Sequence, residues 1–511
     1  MSTEEFVPTF AIALIALGFL VWGYNRARPF GRLGILAWLQ SVVLVAPWLL
    51  FFSLVALGIY VNVIGILLLF VGSSGVYIYL GNRLRAEGQD AVLRDRAAKR
   101  IREQEKQSTS ETGSPLTVKN KDGIELIKET TQEQAEEIFP IPAEDLQKIK
   151  GIFALDTFFS TETISYQEGA IFKGNLRGEP DKVYSSLSEK LNDLLEDKYR
   201  LFLVESPEGK PVVIILPRAN DPKPATLAQK NLSLVLLIAT LATSLEAAAL
   251  LLGFDWFQQL GRYGEALPIA FGLWFILAAH EFGHWFYAKR HDIRLSFPYL
   301  IPSWQIGSFG SITRFESLIP DRAVLFDVAL AGPAIGGLVS FILLIFGFIL
   351  SHPGSLFQLP TEFLQGSILV GTLAKVILGS KLEATLLDVH PLVIIGWLGL
   401  VINALNLMPA GQLDGGRIVQ AIYGRKTARR TTLATLIILG LVAIFNAGNP
   451  IPLYWGIVIL FLQRDLERPS LNELSEPDDT RAALGLLALF LVLATLIPLN
   501  PGLAGTLGIG G

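Results

Sequence analysis

The chain contains no cysteine. Disulfides, cysteine-ligated zinc and thiol catalysis are therefore excluded, and any metal site must be built from histidine and carboxylate. Histidine is scarce too, with five residues at 280, 284, 291, 352 and 390. Charge is low: 17% of residues are charged against 51% hydrophobic. That balance predicts a polytopic membrane protein. The net charge of −4 gives no basis for a nucleic-acid partner.

What is present is a series of long apolar runs. Three spans are expected near 6–24, 35–57 and 60–81, and three more near 231–253, 266–289 and 323–350. Further apolar segments lie near 364–379, 391–410, 431–447, 450–463 and 481–498. Crossing the hydrocarbon takes about 20 helical residues, so 364–379 and 450–463 are expected to be re-entrant or short buried helices. The first run reads as a retained helix, because it is too long for a signal-peptide core and no small-residue cleavage site follows. No Ser/Arg-rich transit peptide precedes it, which suggests a prokaryotic or already mature chain.

Positive charge sets an expected orientation. Arg26, Arg28 and Arg32 follow the first run, and Arg83, Arg85, Arg94 and Arg96 follow the third. Lys289, Arg290 and Arg294 follow the fifth, and Arg425, Lys426, Arg429 and Arg430 precede the run at 431. With the N-terminus outside, all four clusters are cytoplasmic. Five regions are expected: membrane helices over 1–82, a charged juxtamembrane helix and linker over 83–115, a soluble insert over 116–228, a membrane core over 229–465, and a final loop and helix over 466–511. The fold class is then a polytopic α-helical membrane protein with a small cytoplasmic α+β insert.

Within the insert, Val183, Leu187, Leu191 and Leu194 repeat at helical spacing. Residues 199–204 and 211–217 read as two strands joined by a Ser-Pro-Glu-Gly turn. The Ser/Thr/Gly/Pro stretch at 108–115 reads as a linker. With no histidine or cysteine, this region is expected to select or gate substrates and to take no part in bond breaking.

The chemistry lies at His280-Glu281-Phe282-Gly283-His284, inside an apolar run. Positions i and i+4 share one helix face, so both imidazoles reach one zinc ion. Glu281 projects about 100° away, placed to take a proton from a water at the metal. Ionisable groups at membrane depth are costly and mark function. A catalytic zinc wants a third protein ligand. Asp414, in Asn406-Leu-Met-Pro-Ala-Gly-Gln-Leu-Asp414-Gly-Gly-Arg417, is the foremost candidate. His291 is its rival, and a simple Asp-Gly turn is the plain alternative.

Other features carry less. Gly72-Ser-Ser-Gly75 matches a short serine-protease pattern, yet no apolar run outside the 280–284 segment supplies a histidine, so it reads as a helix-packing patch. Asp327 and Asp388 lack the flanking Gly-x-Gly of intramembrane aspartyl sites, and Glu246 and Asp327 receive no role. Residues 297–315 are apolar but broken by Pro and Gly. Extended backbone there would offer an edge to an unwound substrate.

Taken together, the 280–284 motif and Asn406-x-x-Pro409-x-x-x-x-Asp414-Gly415 resemble the site-2 proteases, zinc metalloproteases of the membrane interior. The Ala331-Gly332-Pro333 stretch resembles that family's Ala-Gly-Pro helix. Gly174-Asn-Leu-Arg177 and the chain length resemble the plastid and cyanobacterial branch, the ethylene-dependent gravitropism-deficient and yellow-green family. A cyanobacterial plasma or thylakoid membrane is then the expected location. The resemblance implies one zinc held by His280, His284 and Asp414, with Glu281 as general base. It also implies that Asn406 hydrogen-bonds to substrate or to the oxyanion. The expected partners are the lipid bilayer and transmembrane protein substrates, cleaved within their spans. The alternative is a non-proteolytic membrane chaperone or binding protein that keeps a metal site; a transporter is disfavoured because no internal repeat is seen.

Overall fold

The computed structural model describes residues 141–509, apart from 167, 207, 304, 447, 464 and 507, together with parts of 21–43 and 72–84. Most of the first three expected spans, and the linker at 108–115, lie outside the described residues. The chain forms two compact units, one of residues 136–436 and 462–511, the other of 1–135 and 437–461. The first holds the insert and both the 280–284 and 406–415 segments.

The insert begins with helix α1, Ala143–Gly151, followed by strands β1, Phe158–Tyr166, and β2, Gly169–Leu176. Helix α2, Pro180–Leu195, leads to β3, Tyr199–Glu205, and β4, Pro211–Pro217. The sheet is antiparallel in the order β1-β2-β4-β3. On α2 the buried residues are Val183, Leu187, Leu191 and Leu195, while Leu194 is 49% exposed. Steps of four keep one stripe inward, so Leu195 replaces the expected Leu194 as the last core residue. Each such burial is worth roughly 1.5–3 kcal/mol. Strands β3 and β4 match expectation. Strands β1 and β2 were not anticipated, because Ser-Thr-Glu-Thr in β1 and Lys-Gly-Asn in β2 dilute the apolar alternation. Gly174 has a structural reason: a Cβ there would stand 2.1 Å from the Phe159 carbonyl oxygen.

A capping box opens the membrane part. Thr226 accepts from the Gln229 amide and Gln229 Oε1 accepts from the Thr226 amide, starting α3, Leu227–Leu251. Helix α4, Tyr263–Arg290, carries the 280–284 motif. An antiparallel hairpin follows, β5, Tyr299–Ser303, and β6, Gly307–Ile312, where extended backbone was expected. Ser233 and Thr243 of α3 donate to the carbonyls of Pro298 and Gly307, at 2.7 and 2.6 Å, and tie the hairpin to that apolar helix. Helix α5, Arg322–Leu350, starts at the Asp321 cap and packs against both α4 and α7, Pro391–Asn406. Between them, the short helix α6, Ile368–Leu378, does not reach spanning length. Helix α8, Asp414–Phe445, breaks at Gly424, and α9, Ile451–Val458, is also short. Helix α10, Asp479–Leu496, is followed by a short helix α11, Pro501–Thr506.

Five helices among the described residues are long and apolar enough to cross a membrane: 229–251, 260–290, 322–350, 414–445 and 479–496. Small residues let the central ones approach. A Cβ on Gly283 of α4 would lie 2.3 Å from the Ala331 carbonyl oxygen of α5, and one on Gly396 of α7 would lie 2.5 Å from the Leu344 nitrogen.

The insert is joined to this core by a strap. Leu203 of β3 donates its amide to the Leu471 carbonyl and accepts from the Glu473 amide, while Leu471 and Asn472 donate to the carbonyls of Ile319 and Pro320 just before α5. One stretch of backbone thus pairs with the insert sheet on one side and the entry to α5 on the other.

Candidate metal centre

Helix α4 brings His280 and His284 onto one face, each only 3% exposed, with their Nε2 atoms 3.0 Å apart. The orientation of both rings is fixed from behind. His284 Nδ1 lies 2.8 Å from the Val328 carbonyl oxygen, which only accepts, so Nδ1 carries the proton. His280 Nδ1 lies 2.9 Å from Asn403 Oδ1. Asn403 is oriented in turn by its amide, which donates to the Gly399 carbonyl at 2.8 Å. Both Nε2 lone pairs therefore face inward.

Asp414 closes the cluster. Its Oδ2 lies 3.4 Å from His280 Nε2 and 3.3 Å from His284 Nε2. Three buried lone-pair donors converge on one point and repel one another unless a positive charge sits between them. Tetrahedral zinc with bonds of about 2.0–2.2 Å sets its ligand atoms roughly 3.3 Å or a little more apart, close to the two Asp414 edges of 3.3 and 3.4 Å, with the edge between the imidazoles shorter at 3.0 Å. The donors fit zinc by spacing and by chemistry.

The loop before α8 makes the third corner reachable. A Cβ on Gly415 would sit 1.8 Å from the Leu407 carbonyl oxygen, and one on Gly416 2.3 Å from that of Gly411. Only Gly-Gly allows the chain to fold back so tightly and present Asp414 as the first residue of α8.

Glu281 also has a carboxylate oxygen within 4.8 Å of donor atoms of both histidines, making it a competing ligand. Asp414 is nearer, and the Glu281 oxygens are engaged elsewhere: Ser311 donates to Oε1, and Thr313 donates to Oε2 at 2.9 Å. Glu281 also lines a cleft of about 580 Å³ with Trp285, Phe297, Pro298 and Thr313. The geometry separates three inward donors from one carboxylate that faces a cleft.

The other residues singled out from sequence lie apart. His291 faces Asp327 at 3.5 Å, and Asp327 takes a two-pronged contact from Arg481 at 2.7 and 2.8 Å, which ties α5 to α10. Glu246 accepts from the Trp256 amide at 2.9 Å. Asn406 is buried one turn beyond Asn403, donates to the Ile402 carbonyl at 3.1 Å, and packs on Gly310 of β6. Sequence reasoning missed Asn403, Arg417 and the hydroxyls of Ser311 and Thr313. The signals were a second Asn within an apolar helix and an Arg directly after Asp-Gly-Gly.

Apolar helices around a buried cluster of two histidines and a carboxylate agree with the class that the comparisons give, a multi-pass membrane metalloprotease that uses zinc. Residues 268–446 match the family described as peptidase family M50, and residues 147–223 match the EGY3 middle domain. Over 376 residues the chain is 38% identical to the probable zinc metalloprotease EGY2, chloroplastic, of Arabidopsis thaliana, covering 71% of this chain and 66% of that one. Its counterpart in Oryza sativa subsp. indica is 38% identical over 380 residues, covering 72% and 68%. The Arabidopsis thaliana EGY1 protein is 35% identical over 411 residues, covering 72% and 73%. The chain thus spans about two thirds of the length of the curated relatives it matches. It belongs to the EGY-like branch of the site-2 zinc metalloproteases. No solved structure matches.

Proposed function

We propose that the chain cuts peptide bonds within the membrane-spanning segments of other proteins. The observation that carries this reading is the triangle of His280, His284 and Asp414 donors at 3.0–3.4 Å, set within apolar spans beside the cleft-facing Glu281. In this reading His280, His284 and Asp414 hold zinc and Glu281 is the general base. Zinc held there supplies Lewis-acid chemistry, lowering the pKa of a water and polarising a peptide carbonyl. Glu281 accepts the water's proton and passes it to the departing amine. Ser311 and Thr313 steady its carboxylate for both transfers. An unwound substrate segment lies along β6, the strand that supplies Ser311, so the scissile bond meets the base directly. Asn406, against Gly310 of the same strand, is the candidate partner for the substrate or the oxyanion.

The clusters at 289–294 and 425–430 support a cytoplasmic placement of the insert and of the end of α4. The insert, docked through the strap, is assigned to substrate selection. The test is purified protein in lipid nanodiscs, loaded with one equivalent of zinc and given a single-span substrate. Mass spectrometry should find cleavage inside the span, abolished by a zinc chelator. Stoichiometric zinc without any cleavage would overturn proteolysis and favour the metal-retaining binding protein.

A further inference from the structure

We infer that Arg417 is a positioning residue that sets which oxygen of Asp414 faces the metal and locks that ligand to the strand holding Glu281. The inference rests on the zinc-site reading above. Arg417 is 4% exposed, on the first turn of α8. Its planar guanidinium reaches three places at once. Nε and Nη2 contact Glu467 Oε2 at 3.0 and 2.9 Å, Nη2 donates to the Thr313 carbonyl at 2.7 Å, and Nη1 lies 3.6 Å from Asp414 Oδ1. The last is an ion pair longer than a hydrogen bond. The Phe315 ring covers the guanidinium with its centroid 4.8 Å away.

This arrangement divides the two oxygens of Asp414. Oδ2 turns to the imidazoles and Oδ1 to Arg417. With Oδ1 drawn toward a fixed cation, Asp414 would offer a bound metal its Oδ2. Thr313 is joined at both ends: its hydroxyl holds Glu281 and its carbonyl is held by Arg417. The ligand and the base are therefore indexed to each other through one side chain. Glu467, 6% exposed, balances the buried positive charge, and its backbone carbonyl accepts from Arg425 at 2.6 Å and Gln420 at 3.3 Å. A lysine has the charge without the rigid fork and cannot make these contacts together.

The experiment compares full-length wild type with Arg417→Lys, Arg417→Met and Glu467→Gln. The readouts are zinc affinity by chelator competition, the visible spectrum of the Co²⁺-substituted protein, and kcat and KM. Arg417→Met should weaken zinc binding by about 10–100-fold, the range for residues that orient metal ligands. It should also change the Co²⁺ spectrum and lower kcat with KM little altered. Arg417→Lys should recover the spectrum only in part. Should Arg417→Met not fold, Glu467→Gln, which loosens the fork without removing it, should shift affinity and spectrum in the same direction. Wild-type affinity, spectrum and kcat in whichever of these variants folds would overturn the inference. The metal readouts do not depend on proteolysis. A wild type that binds zinc but cleaves nothing would therefore sink the proposed function while affinity and spectrum still judge Arg417.

Discussion

Gly332 of α5 lies so close to His284 of α4 that a Cβ at that position would stand 2.2 Å from Nε2. On the same helix a Cβ at Gly336 would stand 2.7 Å from Asn403 Oδ1 and 2.9 Å from the His280 Cβ. The Ala-Gly-Pro stretch is thus a cast of the histidine face. Pro333 has no amide to bond the Ala329 carbonyl, and one residue before Ala329 the Val328 carbonyl accepts from His284 Nδ1–H. Gly332→Ala should destabilise the helix pair by about 1–3 kcal/mol through overpacking and displace the imidazole. Zinc content measured on the folded fraction checks this: a full complement would show that the contact is not critical.

Glu281→Gln should lower cleavage by about 10²–10⁴-fold, the span of general acid–base catalysis, with zinc still bound. The amide keeps the shape and contacts of the carboxylate but cannot take the proton. Turnover near wild type would remove Glu281 from the base role.

Asp414→Ala should lose zinc and activity together, because it removes one corner of the donor triangle. His291→Ala should keep both, since His291 faces Asp327. The two variants, compared by metal analysis, reverse the assignment if their outcomes are exchanged.

Asn403→Ala takes away the acceptor that orients His280. Zinc affinity should fall by about 10–100-fold, while zinc still binds at saturating concentration. Unchanged affinity would mean that the helix backbone alone orients the ring.

In the insert, Asp145 accepts from Lys198 and from the Tyr199 hydroxyl, the latter at 2.7 Å. The hydrogen bond from Lys198, followed by that from Tyr199, holds its carboxyl below the ordinary value of 3.8. A depressed folded-state pKa contributes stability that is full above the unfolded value and lost as pH falls through the folded one. Asp145→Asn should therefore raise amide exchange in α1 relative to wild type at neutral pH, and the difference should shrink below about pH 4. A difference independent of pH would assign the effect to shape.

The sequence by itself determined what is local. The i,i+4 spacing of His280 and His284 puts both imidazoles on one face wherever the helix lies, and an apolar run long enough to cross a membrane declares itself by length. The absence of cysteine narrowed the metal donors to histidine and carboxylate, which left Asp414 as the leading third ligand, with His291 beside it. Tertiary structure places Asp414 beside both histidines and His291 beside Asp327, because a residue 134 positions from one histidine and 130 from the other meets them only when the chain folds back over Gly415 and Gly416. It also decided that Asn403 and Val328 orient the imidazoles, that Ser311 and Thr313 hold Glu281, and that Arg417 reaches Asp414, Thr313 and Glu467 together. Those partners are ordinary residues in sequence, since a hydroxyl, an amide or a backbone carbonyl gains its role only from what the packing of other elements places within 3 Å of it.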